Sequence, residues 1–193
     1  MTHIEAGSAN RLLPVRRRLL SGAGLVLSAT AVALLGGREG LAAGSSGRET
    51  EADLRILNTA LAAEREAIAA YQLGADSGLL TADVRKLAIR FQSHHKEHAD
   101  ALAATVRKLG GTVVAAKADH GFPTDKLRSQ GDVLQFAAGL EKGAVSAFLG
   151  AVPLFADRQL AQVAASILGD EAMHWAVLRQ ALGQDPVPAA FLA

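Results

Sequence analysis

Glutamate and histidine side chains recur at matching positions in the two halves of this 193-residue chain. The shared pattern is a glutamate, an aromatic residue seven positions later, and two potential metal ligands three positions apart on a later segment. Its first copy consists of Glu64, Tyr71, His95 and His98, and its second copy of Glu141, Phe148, Glu171 and His174. Shifting the second copy back by 76 or 77 residues places it over the first.

Apolar residues accompany these ligands at the spacing of one helix face. Together with the ligands they advance by three or four positions, as Val84, Leu87, Phe91, His95, His98 and Leu102 in the first half and Leu160, Val163, Ile167, Glu171, His174 and Leu178 in the second. Burying carboxylates and imidazoles in such a face is costly unless something pairs them. A bound metal ion would pair them, so the pattern predicts a metal site made of Glu64, His95, His98, Glu141, Glu171 and His174.

Other interpretations of single residues stay open. Glu64 and Glu141 could be buried carboxylates that are hydrogen-bonded without metal, and His174 alone could be a core histidine. Tyr71 fits core packing with its hydroxyl bonded to a ligand carboxylate. The remaining polar residues are predicted to lie away from the metal site. His94 is expected at a flank, behind the ligands or facing solvent, His120 on the surface, and Glu66 and Glu97 exposed.

Four helices are needed to position these residues, and the sequence predicts an all-α bundle over residues 50–183. Thr50 and Asp53 form a capping pair that would open the first helix, which should run to about Gly74. We expect the second helix from Thr81 to Gly110, the third from about Asp132 to before Pro153, and the fourth from about Asp157 to Gly183. Residues 184–193 form a non-helical tail.

The loops decide how these helices connect. Short turns make two antiparallel hairpins, whereas about 20 residues between the second and third helices are long enough to cross the length of a bundle. The prediction is therefore a bundle of two helical hairpins joined by a long crossover. Gly139, Gly143 and Gly150 in the third helix indicate either close helix contact or a helix that is marginal alone.

Composition excludes several classes of function. The chain has no cysteine, which rules out disulfides, thiolate metal sites and iron–sulfur clusters. Its net charge of +1 provides no basic field for nucleic acid, so metal ions are the partners that we expect. Self-association as a homo-oligomer is left open.

Residues 1–49 are predicted to be an export signal followed by a flexible linker at residues 44–49. Arg16, Arg17 and Arg18 precede an apolar run over residues 19–37. The run that begins Arg16-Arg17-Arg18-Leu19-Leu20 resembles a twin-arginine signal, which implies a periplasmic or otherwise exported protein. If the signal stays uncleaved, residues 19–37 can just span a bilayer as a membrane anchor.

The bundle region resembles the ferritin-like superfamily. The family signature is a Glu, six residues, a Tyr, and a Glu-x-x-His on the next helix, repeated in two hairpins. The resemblance covers about residues 50–183 and implies a di-metal centre that oxidises Fe(II) or reduces oxygen or peroxide. It places Glu64, His98, Glu141, Glu171 and His174 at ligand positions, whereas His95 stands where the family usually has a bridging Glu.

That departure leaves the metal open. An imidazole offers one lone pair and cannot bridge two ions as a carboxylate can. Two iron ions are expected from the resemblance; Mn or Zn, a single ion or an unequal pair are compatible with the ligands, and three imidazoles also suit copper. The alternative function is a non-catalytic structural or binding module of the cell envelope with one or no metal. An iron-storage cage is disfavoured because nothing in the sequence specifies a shell.

Overall fold

The structure, a computed structural model, describes the backbone of residues 39–191 and the side chains of residues 47–191. The predicted export signal lies outside the described residues. The chain divides into two units, Met1–Gly47 and Arg48–Ala193. The long helices are α1 (Glu39–Asp76), which belongs to the second unit from Arg48 onward, and α2 (Ala82–Lys108), α3 (Gln130–Ala151) and α4 (Arg158–Ala181), which lie within the second unit. Short 3-10 helices lie at Thr124–Lys126 and Val152–Leu154.

The four helices form the all-α bundle that the sequence predicts, with two hairpins joined by a long crossover. The first residues of α3 lie at the end of α1, where a Cβ on Gly74 would be 3.1 Å from Val133. At the opposite end, Asp53 of α1 accepts hydrogen bonds from the backbone just before α4. The third helix therefore runs antiparallel to α1 and parallel to α2, as a crossover connection requires.

The crossover is fastened to the helices at both ends. Asn58 of α1 donates to the carbonyl of Thr112 at 3.0 Å and accepts from the amide of Val114 at 2.8 Å. Further along, the Phe122 ring lies edge-on to Phe136 of α3, with centroids 5.6 Å apart. His120, predicted on the surface, is half-buried and stacks on Phe122.

Local capping signals locate three of the helix starts. The Ser129 side chain accepts from the amide of Asp132 at the start of α3, and the Asp157 side chain accepts from Gln159 at the start of α4. Thr81 is the N-cap residue of α2, but its side chain makes no capping bond. Residues 182–191 are not helical, as predicted for the tail.

The predicted start of α1 is wrong. The helix begins at Glu39 rather than Thr50, so residues 44–49, which were predicted to be a linker, are helical. No proline interrupts residues 39–76, and each glycine costs a helix only about 1 kcal/mol, which does not stop it. Asp53 is not part of a local capping pair, because its carboxylate is used by the loop before α4.

The α3 glycines do not reflect close helix packing. A Cβ added at Gly139, Gly143 or Gly150 would meet no atom within 4 Å. These glycines instead leave open space along α3. Among the described residues, no helix is both long enough and apolar enough to cross a membrane.

Apolar side chains pack at both ends of the bundle and leave its middle for polar groups. One cluster includes Leu61, Val106 and Ile167, and the other includes Phe91 and Leu134. Val163, predicted on the inner face of α4, is instead 47% exposed. The polar middle of the bundle contains the residues that carry chemistry.

Candidate metal centre

All six residues predicted as ligands meet between the two apolar clusters. Each long helix contributes at least one of them: Glu64 from α1, His95 and His98 from α2, Glu141 from α3, and Glu171 and His174 from α4. Five are at most 3% exposed, and His98 is half-buried. Side chains from sequence segments far apart thus come together in one buried volume.

The imidazole of His95 lies at the centre of this group. Its Nδ1 atom is 2.8 Å from Glu64 Oε2, and its Nε2 atom is 3.2 Å from Glu141 Oε1. Nδ1 also lies 3.5 Å from Glu171 Oε1. His95 therefore connects carboxylates from both halves of the chain.

The side chains form two overlapping sets of potential ligands. The first set is Glu64, His95, His98 and Glu171, and the second set is His95, Glu141, Glu171 and His174. Within each set, the donor atoms lie within 4.8 Å of one another. His95 and Glu171 belong to both sets, and of the two only the Glu171 carboxylate has an oxygen for each of two ions.

Four buried atoms in this centre that could bind a metal ion have no hydrogen-bond partner. They are Nδ1 of His98, Nδ1 of His174 and both carboxylate oxygens of Glu171. His98 Nδ1 is 3.2 Å from one Glu171 oxygen, and His174 Nδ1 is 3.7 Å from the other. Because buried polar atoms are rarely left unpaired, this convergence fits the binding of cations between the imidazoles and the carboxylate.

In the absence of metal, the carboxylates keep protons on the histidines. Burial lowers the pKa of His95, but hydrogen bonds to Glu141 and Glu64 outweigh burial and raise that pKa to about 10. Burial likewise opposes charge on His98 and His174, yet nearby carboxylates raise the pKa of each to about 9. The metal-free centre thus holds three imidazolium groups against Glu64, Glu141 and Glu171.

The same pairing acts on Glu141. Burial favours its neutral form, but the imidazoles of His174 and His95 hold the pKa of this carboxyl well below its usual range. Tyr71 donates its hydroxyl to Glu141 Oε1, as expected for a tyrosine bonded to a ligand carboxylate. Burial, followed by the negative charge of Glu141, raises the pKa of Tyr71 well above 10.

A residue that the sequence interpretation missed lies behind the histidines. The Oδ2 atom of Asp170 is 3.2 Å from His174 Nε2 and 3.5 Å from His98 Nε2. A carboxylate beside Nε2 favours the tautomer with its proton there, which leaves Nδ1 free to bind an ion. The repeat alignment contained a signal, because it pairs Asp170 with His94, and these two residues form a hydrogen bond of 3.1 Å.

With this geometry established, comparison with known proteins decides the family. The ferritin-like domain model matches residues 52–184. The chain belongs to the ferritin-like domain family. None of the curated proteins is significantly similar to it.

Two solved structures share the fold of this ferritin-like domain. A conserved hypothetical protein from Mycobacterium tuberculosis is 25% identical, with a TM-score of 0.64 over 74% of this chain and 99% of that one. A ferritin-like, diiron-carboxylate protein from Bacillus anthracis str. Ames is 19% identical, with a TM-score of 0.60 over 69% of this chain and 97% of that one. The second likeness supports the fold alone.

Two grooves lead from the surface of the ferritin-like domain towards the centre. The groove between α1 and α3 measures about 240 Å³ and reaches Glu64, His95 and Glu141. Small residues of both helices line it, including Ala63, Ala67, Gly139, Gly143, Ala144 and Ala147. Glu66, predicted to be exposed, is half-buried in its wall.

The groove between α2 and α4 is wider, about 670 Å³, and reaches His98 and Asp170. Glu97 lies in its wall and is exposed, as predicted. The centre is therefore shielded by apolar packing along the bundle axis and approached from two sides.

Proposed function

We propose that this protein is an exported, metal-binding oxidoreductase that holds two transition metal ions and acts on Fe(II), oxygen or peroxide. The observation that carries the proposal is the convergence of four buried ligand atoms of His98, His174 and Glu171 that make no hydrogen bond. The ferritin-like family and the diiron-carboxylate character of one structural neighbour support iron, with Mn or Zn as alternatives.

The two ions would have unequal ligand sets. Glu64 and His98 would bind one ion, and Glu141 and His174 would bind the other, with Glu171 shared between them. Since a neutral imidazole has a single lone pair, His95 can complete only one of the sets. The other ion then retains more open coordination for a small reactant.

Redox ions in this centre would supply or accept the electrons of the reaction. The protein side chains orient the ligands and keep bulk water out. Phe91 stacks on the His174 ring, with centroids 4.0 Å apart, and fixes the plane of that ligand. Asp170 orients the rings of His98 and His174 through their Nε2 atoms. Tyr71 orients the Glu141 carboxylate through a hydrogen bond to one of its oxygens.

Metal content after purification without added metal tests this proposal. Glu64→Ala and Glu141→Ala should each reduce metal occupancy at least about tenfold, because each removes a carboxylate ligand. Glu97→Ala is the matched control, since Glu97 is exposed and belongs to neither ligand set. A wild-type protein that contains no metal, and whose stability does not change with chelator, would favour the non-catalytic module instead.

Export is a separate part of the proposal and rests on Arg16, Arg17 and Arg18 ahead of the apolar run. Replacing Arg16 and Arg17 together by Lys keeps the charge but removes the twin-arginine pattern, so precursor should accumulate inside the cell. Cell fractionation followed by immunoblotting measures the amount of precursor that stays inside the cell. Unchanged export would contradict the twin-arginine route, and release of the protein by carbonate would contradict an uncleaved anchor.

A further inference from the structure

A second group of metal-binding atoms lies on the outer side of His174. It consists of Nδ1 of His94, Oδ2 of Asp170 and Nε2 of His174. We propose that these atoms form a loading site, through which a divalent transition metal ion enters the buried centre. The loading role rests on the proposed function, whereas binding at the outer atoms can be tested without it.

The spacing of the three atoms matches one face of an octahedron. His94 Nδ1 is 2.9 Å from His174 Nε2 and 3.1 Å from Asp170 Oδ2. The third distance, from His174 Nε2 to Asp170 Oδ2, is 3.2 Å. An octahedral ion with metal–ligand bonds of about 2.1 Å places adjacent ligand atoms about 3.0 Å apart, so a single ion fits all three distances.

The types of ligand select the kind of ion. Two imidazoles and one carboxylate on one face leave three positions for water, an arrangement suited to Fe(II). Imidazole nitrogens favour first-row transition metals over Mg²⁺ and Ca²⁺, which prefer oxygen. The site is thus suited to hydrated Fe(II), Mn(II) or Co(II).

Two side chains of this group are more exposed than those of the buried centre. The side chains of His94 and Asp170 are 37% and 22% exposed, whereas that of His174 is 2% exposed. Asp170 also lines the wide groove between α2 and α4. An ion that enters by this groove can therefore meet Asp170 and the neighbouring His94 before it meets a fully buried ligand.

The His174 ring separates the loading site from the buried centre. Its Nε2 atom faces Asp170, and its Nδ1 atom lies 3.5 Å from Glu141 Oε1. A neutral imidazole has one lone pair, so this ring binds an ion on one side at a time. An ion at Nε2 must therefore leave before an ion is held at Nδ1, which defines a transient site rather than a permanent third one.

Co(II) titration of a variant without the inner carboxylates tests the outer site directly. The variant Glu64→Gln, Glu141→Gln and Glu171→Gln keeps side-chain size but removes the buried acids. It should still bind one six-coordinate Co(II) ion, detected by calorimetry and weak visible absorption. Adding His94→Ala should weaken this binding at least about tenfold, while adding His120→Ala, a histidine outside the group, should not.

Loading kinetics test the same inference in the otherwise wild-type protein. Under limiting Co(II), His94→Ala should slow filling of the buried centre several-fold and leave its final occupancy unchanged. Equal loading rates for wild type and His94→Ala would overturn the inference, as would a folded inner-carboxylate variant that binds no Co(II). A wild-type protein that binds no ion at its buried centre would overturn the proposed function instead, even if the outer group binds Co(II).

Discussion

The imidazole of His95 stands where the matched position of the other half, Glu171, carries a carboxylate. The side chain is 1% exposed and contacts Glu64 and Glu141 from opposite halves. The three carboxylates carry a charge of −3, whereas two divalent ions would carry +4. A glutamate at position 95 would balance the charge of two bound ions, and a histidine does not. His95 thus makes a symmetric pair of ions harder to accommodate.

Replacing His95 by Glu should convert the centre into one with four carboxylates that holds two iron ions. A fourth carboxylate balances two divalent ions, so occupancy of the second site by Fe(II) should rise and favour an iron pair. Without metal, the added acid lies beside three others, and it should destabilise the fold by several kcal/mol if it stays ionised. Metal stoichiometry and melting temperature, with and without Fe(II), measure both effects.

His95→Gln is the matched control, because it removes the imidazole without adding charge. It should lower metal occupancy and should not gain a second ion. A His95→Glu protein that melts earlier and gains no metal would contradict the assignment of the first half as a metal site.

The sequence pattern predicted that these six side chains come together, because helical spacing and the match between halves are visible in the sequence. Their role as metal ligands stays a prediction. Asp170 was missed because a carboxylate next to a ligand looks like any exposed acid until the opposite helix is placed. Its contact with His94 depends on packing between α2 and α4. The tautomers that Asp170 favours could not be predicted before that contact was known.

At the scale of helices, local signals located α3 and α4 accurately. Ser129 and Asp157 cap helices within two or three residues of themselves, so their effect is visible in the sequence. Asp53 behaves differently, since it accepts from the amides of Ala156 at 2.9 Å and Asp157 at 3.0 Å. A contact across more than 100 residues cannot be inferred from local capping rules.

Asp53→Ala should therefore loosen the connection between α3 and α4 rather than the start of α1. The side chain is 3% exposed, and its loss leaves two amides without acceptors, at a cost of about 1–3 kcal/mol. Urea unfolding measures the loss, and amide exchange locates it. Fast exchange should appear at Ala156 and Asp157.

Glu51→Ala is the control for Asp53, because Glu51 lies in the same stretch of α1 but is exposed. The free energy of unfolding of Glu51→Ala should match that of wild type within about 0.5 kcal/mol. Faster exchange confined to residues 48–56 in Asp53→Ala would contradict the contact between α1 and the loop before α4.

For the whole molecule, a metal ion bound at this centre would couple folding to metal and to protons. The metal-free form pairs three imidazolium groups with buried carboxylates, whereas metal ligands must be deprotonated. Binding of an ion at neutral pH should therefore release protons, and affinity should rise with pH until the histidines have lost their protons near pH 9 to 10. Under the proposed function, protons or metal ions can balance the same buried acids.

The stability of chelator-treated protein should fall as the solution becomes alkaline. The histidine pKa values of about 9, 9 and 10 exceed the unfolded value of 6.5, so their contribution is complete below pH 6.5 and is lost as pH rises through 9 to 10. Glu141 acts oppositely, because its lowered pKa contributes stability above its unfolded value of 4.5 that is lost as pH falls. The melting temperature of the metal-free protein should therefore be highest at a pH above the range in which Glu141 is protonated and below the range in which the histidines lose their protons.

Melting curves in chelator from pH 5 to pH 10, repeated with Zn(II), measure this prediction. The gap between the metal-bound and metal-free melting temperatures should widen with rising pH, because metal replaces the protons that the three histidines lose. His95→Gln removes the histidine with the highest of the three pKa values, so its metal-free form should lose less stability between pH 7 and pH 10. A metal-free protein whose melting temperature rises steadily to pH 10 would contradict the pairing of imidazolium and carboxylate groups in the metal-free centre.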